Sequence, residues 1–581
     1  MFKKVYNLPQ RYYFFSLPRF PALFFLIFPF FFAPFFSPKQ EKALSLYLVN
    51  IIIFPIMKKS IIAFLAFSAV LLASCTRDND PRLIIITYDG LRWQELFEGA
   101  DSALINNTSY VKDTASLKEA FWRQTPEERR MALMPFTWEY IAQNGYLIGN
   151  RHKGSQMQVA NKKNFSYPGY SELFCGYADD ERVDSNDPVA NPNSNVFQAA
   201  LADPRYAGNV MLYGSWESVR YAVKNDSIGL PASVAYEPNV ARKPNAILRL
   251  IDEMQEGMPH YWGSERFDAF TYAYALETLK SDHPKVMWIS FGDTDEWGHA
   301  NKYDEYLRST HGTDAFIRHI FEACENDPFY RGRTTYLITV DHGRGVRRGF
   351  SDHSSGTKGS EQTWMMAFGK GVEALGETAN NGPFYTQQFA ANIAEVLGID
   401  FTPDNGVRQE PIRPDFKGEP LPELEEQMEK GHFPALKGVS SRRNGVCFTY
   451  HEAEVKSVDE LDKVPVLARG IVPSFQMDSA KREEYFGFQY KTLWKVDTTA
   501  RYHLLCASDD GAKVWLDGKL ILDNDGAHGT SWVEAIADID AGFHRLEVKY
   551  FQKTGGKTLK LNWEGPGFAE TPIPSSALFV E

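Results

Sequence analysis

Cysteine is scarce: the 581-residue chain has five, Cys75, Cys175, Cys324, Cys447 and Cys506, and no C-x-x-C pair. That spacing argues against a thiolate zinc site and defines no disulfide framework, although a pairing of Cys447 with Cys506, which share one C-terminal region, stays open. Charge of one sign is nowhere concentrated. Lys and Arg total 62 against 74 Asp and Glu, for a net charge of −12, without a Lys/Arg-rich tract. This balance argues against a nucleic-acid-binding surface and against an anionic-lipid surface as partner. No internal repeat is visible. The length exceeds one typical domain, and the apolar content is ample for a large core.

Uninterrupted apolar stretches are also missing at the N-terminus, where FFLIFPFFFAPFF is broken by Pro29 and Pro34 and makes a poor membrane span. Residues 57–75, MKKSIIAFLAFSAVLLASC, place two lysines before an apolar run and end in Leu72-Ala73-Ser74-Cys75. Residues 57–74 therefore read as a secretory signal peptide, and residues 1–56 as an upstream extension ahead of a start at Met57. The tetrapeptide resembles the lipobox of bacterial lipoproteins. That resemblance implies lipidation at Cys75, a lipid anchor in the membrane, and a place in the bacterial cell envelope, facing the periplasm or at the cell surface.

Beyond Cys75 the chain divides into two bodies. From about 82 to 414, RLIIITYD, KVMWISFGD and TTYLITVD alternate with helical stretches such as QQFAANIAEVLG. Hydrophobicity that is continuous rather than alternating predicts strands covered on both faces. This is the α/β class, a parallel sheet with helices on both sides. Ligands of such sheets bind beyond the carboxyl ends of the strands, where Asp89, Asp293 and Asp341 fall. Residues 415–444 are polar and dotted with Pro and Gly, which predicts a linker with few contacts crossing it. From 445 to 581 the strands are short and alternating, with turns at SDDG and NDGAHG, which predicts an all-β sandwich.

The acid-ended strands collect a set of metal-binding side chains. Asp89 ends the first, Asp295 and His299 follow the second at D-x-x-x-H spacing, Asp341 and His342 end the third, and His353 lies in FSDHSSG. Three carboxylates and three imidazoles, without thiolate, suit Zn²⁺ better than Ca²⁺ or Mg²⁺. A nucleophile is expected nearby. Ser166 in NFSYPGYSELF precedes Pro168 and a helix expected to begin near Gly169, so it would face unpaired N–H groups at a positive dipole end.

In this order the residues resemble the alkaline phosphatase superfamily, and within it the nucleotide pyrophosphatase/phosphodiesterase branch. Ser166-Tyr167-Pro168 is similar to that branch's threonine-aromatic-proline nucleophile motif, Asp295–His299 to its D-x-x-G-H, and Val340–Gly343 to its S-D-H-G. The resemblance covers about residues 82–405. It implies two Zn²⁺, one held by Asp295, His299 and His353 and one by Asp89, Asp341 and His342, with Ser166 bridging them. It further implies a phosphoester substrate, monoester or diester, and a covalent phosphoseryl intermediate. Arg92, Arg344, Arg347 and Arg348 are candidate phosphate contacts, as is one of Asn191, Asn193 and Asn195. Departures from the branch are Ser166 for threonine and Gly169-Tyr170 for Asn-His. The arginine of sulfatases would fall at Tyr170, which argues against formylglycine chemistry.

The C-terminal body resembles the protective-antigen-type β-sandwich of glycosidases, adhesins and toxins, through YFGFQYK, CASDDGAKVWLDGKLILD and AGFHRLEVKYF. In some members of that family an Asp-Asp pair binds Ca²⁺ and a sugar, which makes Asp509 and Asp510 candidates for calcium or glycan. The alternative readings are a glycan-binding lipoprotein with an inactive hydrolase-like domain, a sulfatase, and a phosphoglycerate-mutase-like enzyme.

Overall fold

The computed structural model describes residues 79–581, except 423, 442 and 581, together with Lys39. The signal segment, the upstream extension and Cys75 lie outside the described residues. Ten strands belong to the first domain: β1 (Arg82–Tyr88), β2 (Gly145–Ile148), β3 (Ser155–Gln158), β4 (Val210–Gly214), β5 (Ala232–Val234), β6 (Val286–Ser290), β7 (Thr334–Val340), β8 (Met365–Gly369), β9 (Gly376–Glu377) and β10 (Asn381–Tyr385). Eight of them form one sheet in the order β5-β4-β6-β1-β7-β8-β2-β9. The run from β5 to β7 is parallel. β8 enters antiparallel between β7 and β2, so the sheet is mixed.

Every residue of β1, β6 and β7 is buried. The reason is visible in β1, whose successive side chains go to opposite layers. Ile84, Ile86 and Tyr88 pack with Tyr303, Tyr306 and Ile317 of the helix Tyr303–Asn326. Leu83 and Ile85 pack with Leu173 and Phe174 of the helix Ser166–Cys175 and with Phe389. A strand with helices on both faces cannot spare a polar face. Each such side chain contributes about 1.5–3 kcal/mol by burial.

The second domain is a sandwich of β11 (Glu429–Phe433), β12 (Val446–Glu452), β13 (Ala468–Val472), β14 (Phe486–Val496), β15 (Ala500–Asp509), β16 (Ala512–Leu516), β17 (Lys519–Asn524), β18 (Ser531–Ile539), β19 (Gly542–Gln552), β20 (Thr558–Gly565), β21 (Phe568–Pro572) and β22 (Leu578–Phe579). One sheet runs β11-β18-β15-β20-β21, and the other is built around β12, β14 and β19. Cys447 and Cys506 lie on β12 and β15, in different sheets, and both are free thiols, which closes the pairing left open above.

The stretch 415–444 is only partly a linker. Residues 424–428 are helical, and β11 pairs in parallel with β18 of the sandwich. Gln156 and Leu421 exchange two hydrogen bonds, of 2.9 and 2.7 Å, which tie the connection to the first domain. Arg347 forms an ion pair with Glu564. Val346, Gly349 and Thr357 line a small cavity together with Met428, Trp532 and Glu534. The boundary thus carries contacts that composition did not foretell. An unpaired sheet edge recruits any nearby backbone, and polar side chains do not prevent that.

Candidate active site

The neighbours β6, β1 and β7 end at one level. Thr87 pairs with Ser290 and Tyr88 with Val340, so Asp89, Asp341 and the segment after Ser290 leave the same edge of the sheet. Gly90 turns the chain at a positive φ of 61°, and a Cβ there would meet Asp295 Oδ1 at 2.6 Å. After β6 the chain forms a short helix, Asp293–His299, rather than a loop. One helical turn therefore puts Asp295 and His299 side by side, with Oδ2 and Nε2 3.0 Å apart. Asp293, although also at a strand end, does not join them; it accepts the Asp268 N–H at 2.9 Å.

Ser166 is the first residue of its helix, which starts earlier than the position of Pro168 had suggested. Its hydroxyl does not cap that helix. It lies 3.2 Å from Asp89 Oδ1 and 3.0 Å from His342 Nε2. The expectation of unpaired N–H groups is corrected in part, because the Tyr167 N–H donates to Asn186 Oδ1 and Pro168 has none. Gly169 lets the helix approach β7, since a Cβ there would meet Asp341 O at 2.5 Å.

Six side chains converge in two groups, Asp295 with His299 and His353, and Asp89 with Asp341 and His342. Within the first, His299 Nε2 is 3.0 Å from His353 Nε2, and His353 Nε2 is 3.5 Å from Asp295 Oδ1. Within the second, His342 Nε2 is 3.4 Å from both Asp89 Oδ1 and Asp341 Oδ2. Neighbouring ligands of a tetrahedral zinc at ~2.0–2.1 Å stand about 3.3 Å apart, so these separations suit donors around an ion. The imidazoles are oriented for it. Nδ1 of His342 donates to Gly343 O and Nδ1 of His353 to Asn164 O, each at 2.8 Å, which leaves both Nε2 atoms facing inward.

The electrostatics point the same way. Burial and the charge of Asp295 push the Asp89 carboxyl up, and burial and Asp89 push Asp341 well up. Burial presses His342 down, but Asp341 and Asp89 outweigh it and raise the imidazolium to about 9. Asp341 Oδ2 is buried without a hydrogen-bond partner. The second group is therefore short of positive charge, and an N/O-ligated divalent cation fits it. Asp295 differs: against burial, His299 and Arg344 hold it well below the carboxylate range.

Several sequence-derived contacts prove to be structural. Arg344 is buried and donates to Asp295, to Phe350 O at 2.7 Å and to Ser351 O at 2.8 Å. Arg92 is buried against Glu95 and donates to Gly345 O, and Arg347 is engaged with Glu564. The side chain of Arg348 lies outside the described residues. Asn191 ties Ser171 to Ala222 O, Asn193 accepts from Tyr177, and Asn195 caps the helix Val196–Ala202. Arg348 aside, these side chains already have partners within the protein. Conversely, Tyr170 was legible only as the place of a missing arginine, yet its hydroxyl donates to Asp89 Oδ2 at 3.1 Å. In the sandwich, Asp510 accepts the N–H groups of His528 and Lys553, and Asp509 accepts the Thr530 hydroxyl. Among the described residues no third carboxylate or imidazole joins this pair.

Residues 267–357 match the family model described as Metalloenzyme superfamily, and residues 476–577 match the PA14 domain. The first interval holds Asp295, His299, Asp341, His342 and His353, but not Asp89 or Ser166. No curated protein matches. Among solved structures, the chain is similar to an anti-sigma factor domain-containing protein at 19% identity, over 24% of this chain and 48% of that one, with a TM-score of 0.21. It thus spans about half the length of that protein. It is also similar to a protein in the alkaline phosphatase superfamily from Vibrio parahaemolyticus (14% identity, 57% of this chain and 71% of that one, TM-score 0.35). A third is a 2-O GAG sulfatase (11%, 57% and 73%, TM-score 0.36). The chain thus has an α/β domain in which residues 267–357 match the Metalloenzyme superfamily model, followed by an all-β region in which residues 476–577 match the PA14 domain.

Proposed function

We propose that the protein is a two-zinc phosphoesterase that acts outside the cytoplasm through Ser166. The observation that carries this reading is the position of the Ser166 hydroxyl, 3.2 Å from Asp89 and 3.0 Å from His342, inside a cluster of six N/O donors. Asp295, His299 and His353 would hold one ion, and Asp89, Asp341 and His342 the other. When bound, the metals would lower the pKa of the serine hydroxyl and stabilise charge on the phosphoryl and leaving oxygens. Tyr170 holds Asp89 from behind, and Arg344 holds Asp295, so neither carboxylate is free to swing away.

In the first half-reaction the Ser166 Oγ–P bond forms and the ester P–O bond breaks. The hydroxyl proton passes toward Asp89 Oδ1, and the leaving alcohol takes up a proton from solvent. In the second, water attacks phosphorus and releases a proton to solvent, the Oγ–P bond breaks, and Ser166 recovers its proton from Asp89. The envelope location and the lipid at Cys75 belong to this proposal, as does a Ca²⁺ or glycan role for Asp509 and Asp510. The test is turnover of nitrophenyl phosphate, bis-nitrophenyl phosphate and nitrophenyl sulfate by the zinc-loaded protein. Hydrolysis of a phosphate ester with none of the sulfate supports the reading. Hydrolysis of the sulfate alone, or of nothing, overturns it.

A further inference from the structure

The helix Ala246–Glu256 has a wider apolar arc than the domain covers. Leu248 and Ile251 are buried with Tyr274 and Leu279 of the helix Asp268–Asp282, and the Tyr274 hydroxyl donates to Asp252 Oδ1 at 2.8 Å. Ile247, Leu250 and Met254 follow one another at intervals of three and four residues, so they form a second stripe beside the packed one. With Met258 and Tyr261, which come after the helix, they are left uncovered, each 36–56% exposed. The far end of this surface is aromatic. The Tyr261 ring stands 5.1 Å from that of Trp262 and 5.6 Å from that of Trp297, and the Lys302 ammonium donates to the Tyr261 hydroxyl at 3.1 Å. Trp297 belongs to the helix Asp293–His299, which carries Asp295 and His299 of the metal cluster. Rings with an apolar body and a satisfied polar tip suit a boundary between water and hydrocarbon.

The foot of the helix lies where the chain enters the fold. Asp80, two residues before β1, is paired with Lys285 at 2.5 Å. The Lys285 N–H donates to Asn209 O, and Arg242 donates to Gly208 O at 2.8 Å. Asn245, three residues further on, caps the helix. Asp80 follows Cys75 by five residues, at most ~18 Å of extended chain. A lipid at Cys75 would therefore hold this edge of the domain at a bilayer, where an apolar helix face supplies a second contact. A second copy of the chain is a poorer occupant, because five side chains fall short of the ~20–30 residues a side of a standard interface. Anionic headgroups are not what the face selects: the exposed charges of the helix are Arg249 against Glu253 and Glu256.

We propose that Ile247, Leu250, Met254, Met258 and Tyr261 form a membrane-docking face, which rests in the headgroup region of a bilayer through apolar contact and brings the edge with the metal donors to the membrane surface. The choice of a bilayer as occupant rests on the lipid-anchor reading above; the exposed stripe itself does not.

The test uses residues 76–581, which hold both domains whole and carry no acyl chain. The protein is floated with phosphatidylcholine vesicles at millimolar lipid, with and without phosphatidylglycerol. Binding is expected to be alike on the two vesicles and to persist at high salt, because apolar contact is not screened. Leu250→Ser with Met254→Ser should lower the partition coefficient at least about tenfold. Leu467→Ser with Ile471→Ser, an exposed apolar pair of the sandwich, should leave it unchanged. Hydrogen exchange should slow on vesicles across residues 246–261, which locates the contact without a substitution. Absence of binding, binding only with phosphatidylglycerol, an equal loss in the two variant pairs, or a dimer in sedimentation that Leu250→Ser with Met254→Ser dissolves would each overturn the proposal. Palmitate labelling of the full chain in a bacterial host tests the anchor separately. An unlabelled full chain, with residues 76–581 still floating, would overturn the lipid reading alone.

Discussion

Replacing Glu534 by Gln should stabilise the protein at neutral and alkaline pH and do little in acid. Glu534 sits on β18 at the seam, where both carboxylate oxygens are buried without a hydrogen-bond partner. Burial raises its carboxyl from 4.5 to about 7, with Arg347 pulling down and Glu570 and Glu564 pushing up. The folded state therefore keeps the proton over a range where the unfolded chain has lost it. Stability falls as pH rises from the unfolded value through about 7, and the loss is complete above that. At ~1.36 kcal/mol per pH unit this interval amounts to about 3 kcal/mol. Gln keeps the volume and removes the titration, so its advantage should grow from under ~1 kcal/mol near pH 5 to about 3 kcal/mol near pH 8. Urea unfolding of wild type and variant at both pH values, followed by tryptophan fluorescence, reads the difference. An advantage that does not change with pH, or a variant less stable at pH 8, refutes the reasoning.

Three further outcomes follow from the geometry. Asp341→Ala and His299→Ala should each lose about one of two bound zinc ions by elemental analysis, because each removes a donor from a different group. Loss of both ions in either variant would show a single coupled site. Tyr170→Phe should weaken metal binding by ~10–100-fold, since it removes the hydroxyl that orients Asp89; a competitive chelator titration measures this, and unchanged affinity would deny Tyr170 that role. Ending the chain after Pro414 should lower turnover of a small phosphate ester by about tenfold or more, because the segment carrying His353 loses its packing against Met428 and Trp532. Full activity in the shortened protein would make the sandwich a separate accessory.

What could be read from the sequence was local. RLIIITY, VMWIS and TTYLITV announce buried strands because both faces are apolar, and the polar residues that follow each run must then sit at one sheet edge. The six donors were visible for that reason, and the structure brings them together. The antiparallel entry of β8 was not visible, since MMAFG is as apolar as the parallel strands beside it. Nor were the true partners of Arg344, Asn191 and Asn193, which are fixed by contacts distant in sequence. The seam was missed for a related reason. EKGHF is polar, yet β11 enters the sandwich through its backbone, a property that side-chain composition does not encode.

The central claim is that Ser166 carries the phosphoryl group. The direct measurement is acid quenching of the zinc-loaded full chain during turnover of nitrophenyl phosphate, followed by proteolysis and mass spectrometry. The expected result is a phosphoryl group on the peptide containing Ser166, absent from Ser166→Ala, which should retain about two metal ions while losing turnover by at least about a thousandfold. Turnover without a phosphorylated Ser166, or undiminished turnover in Ser166→Ala, would contradict the account.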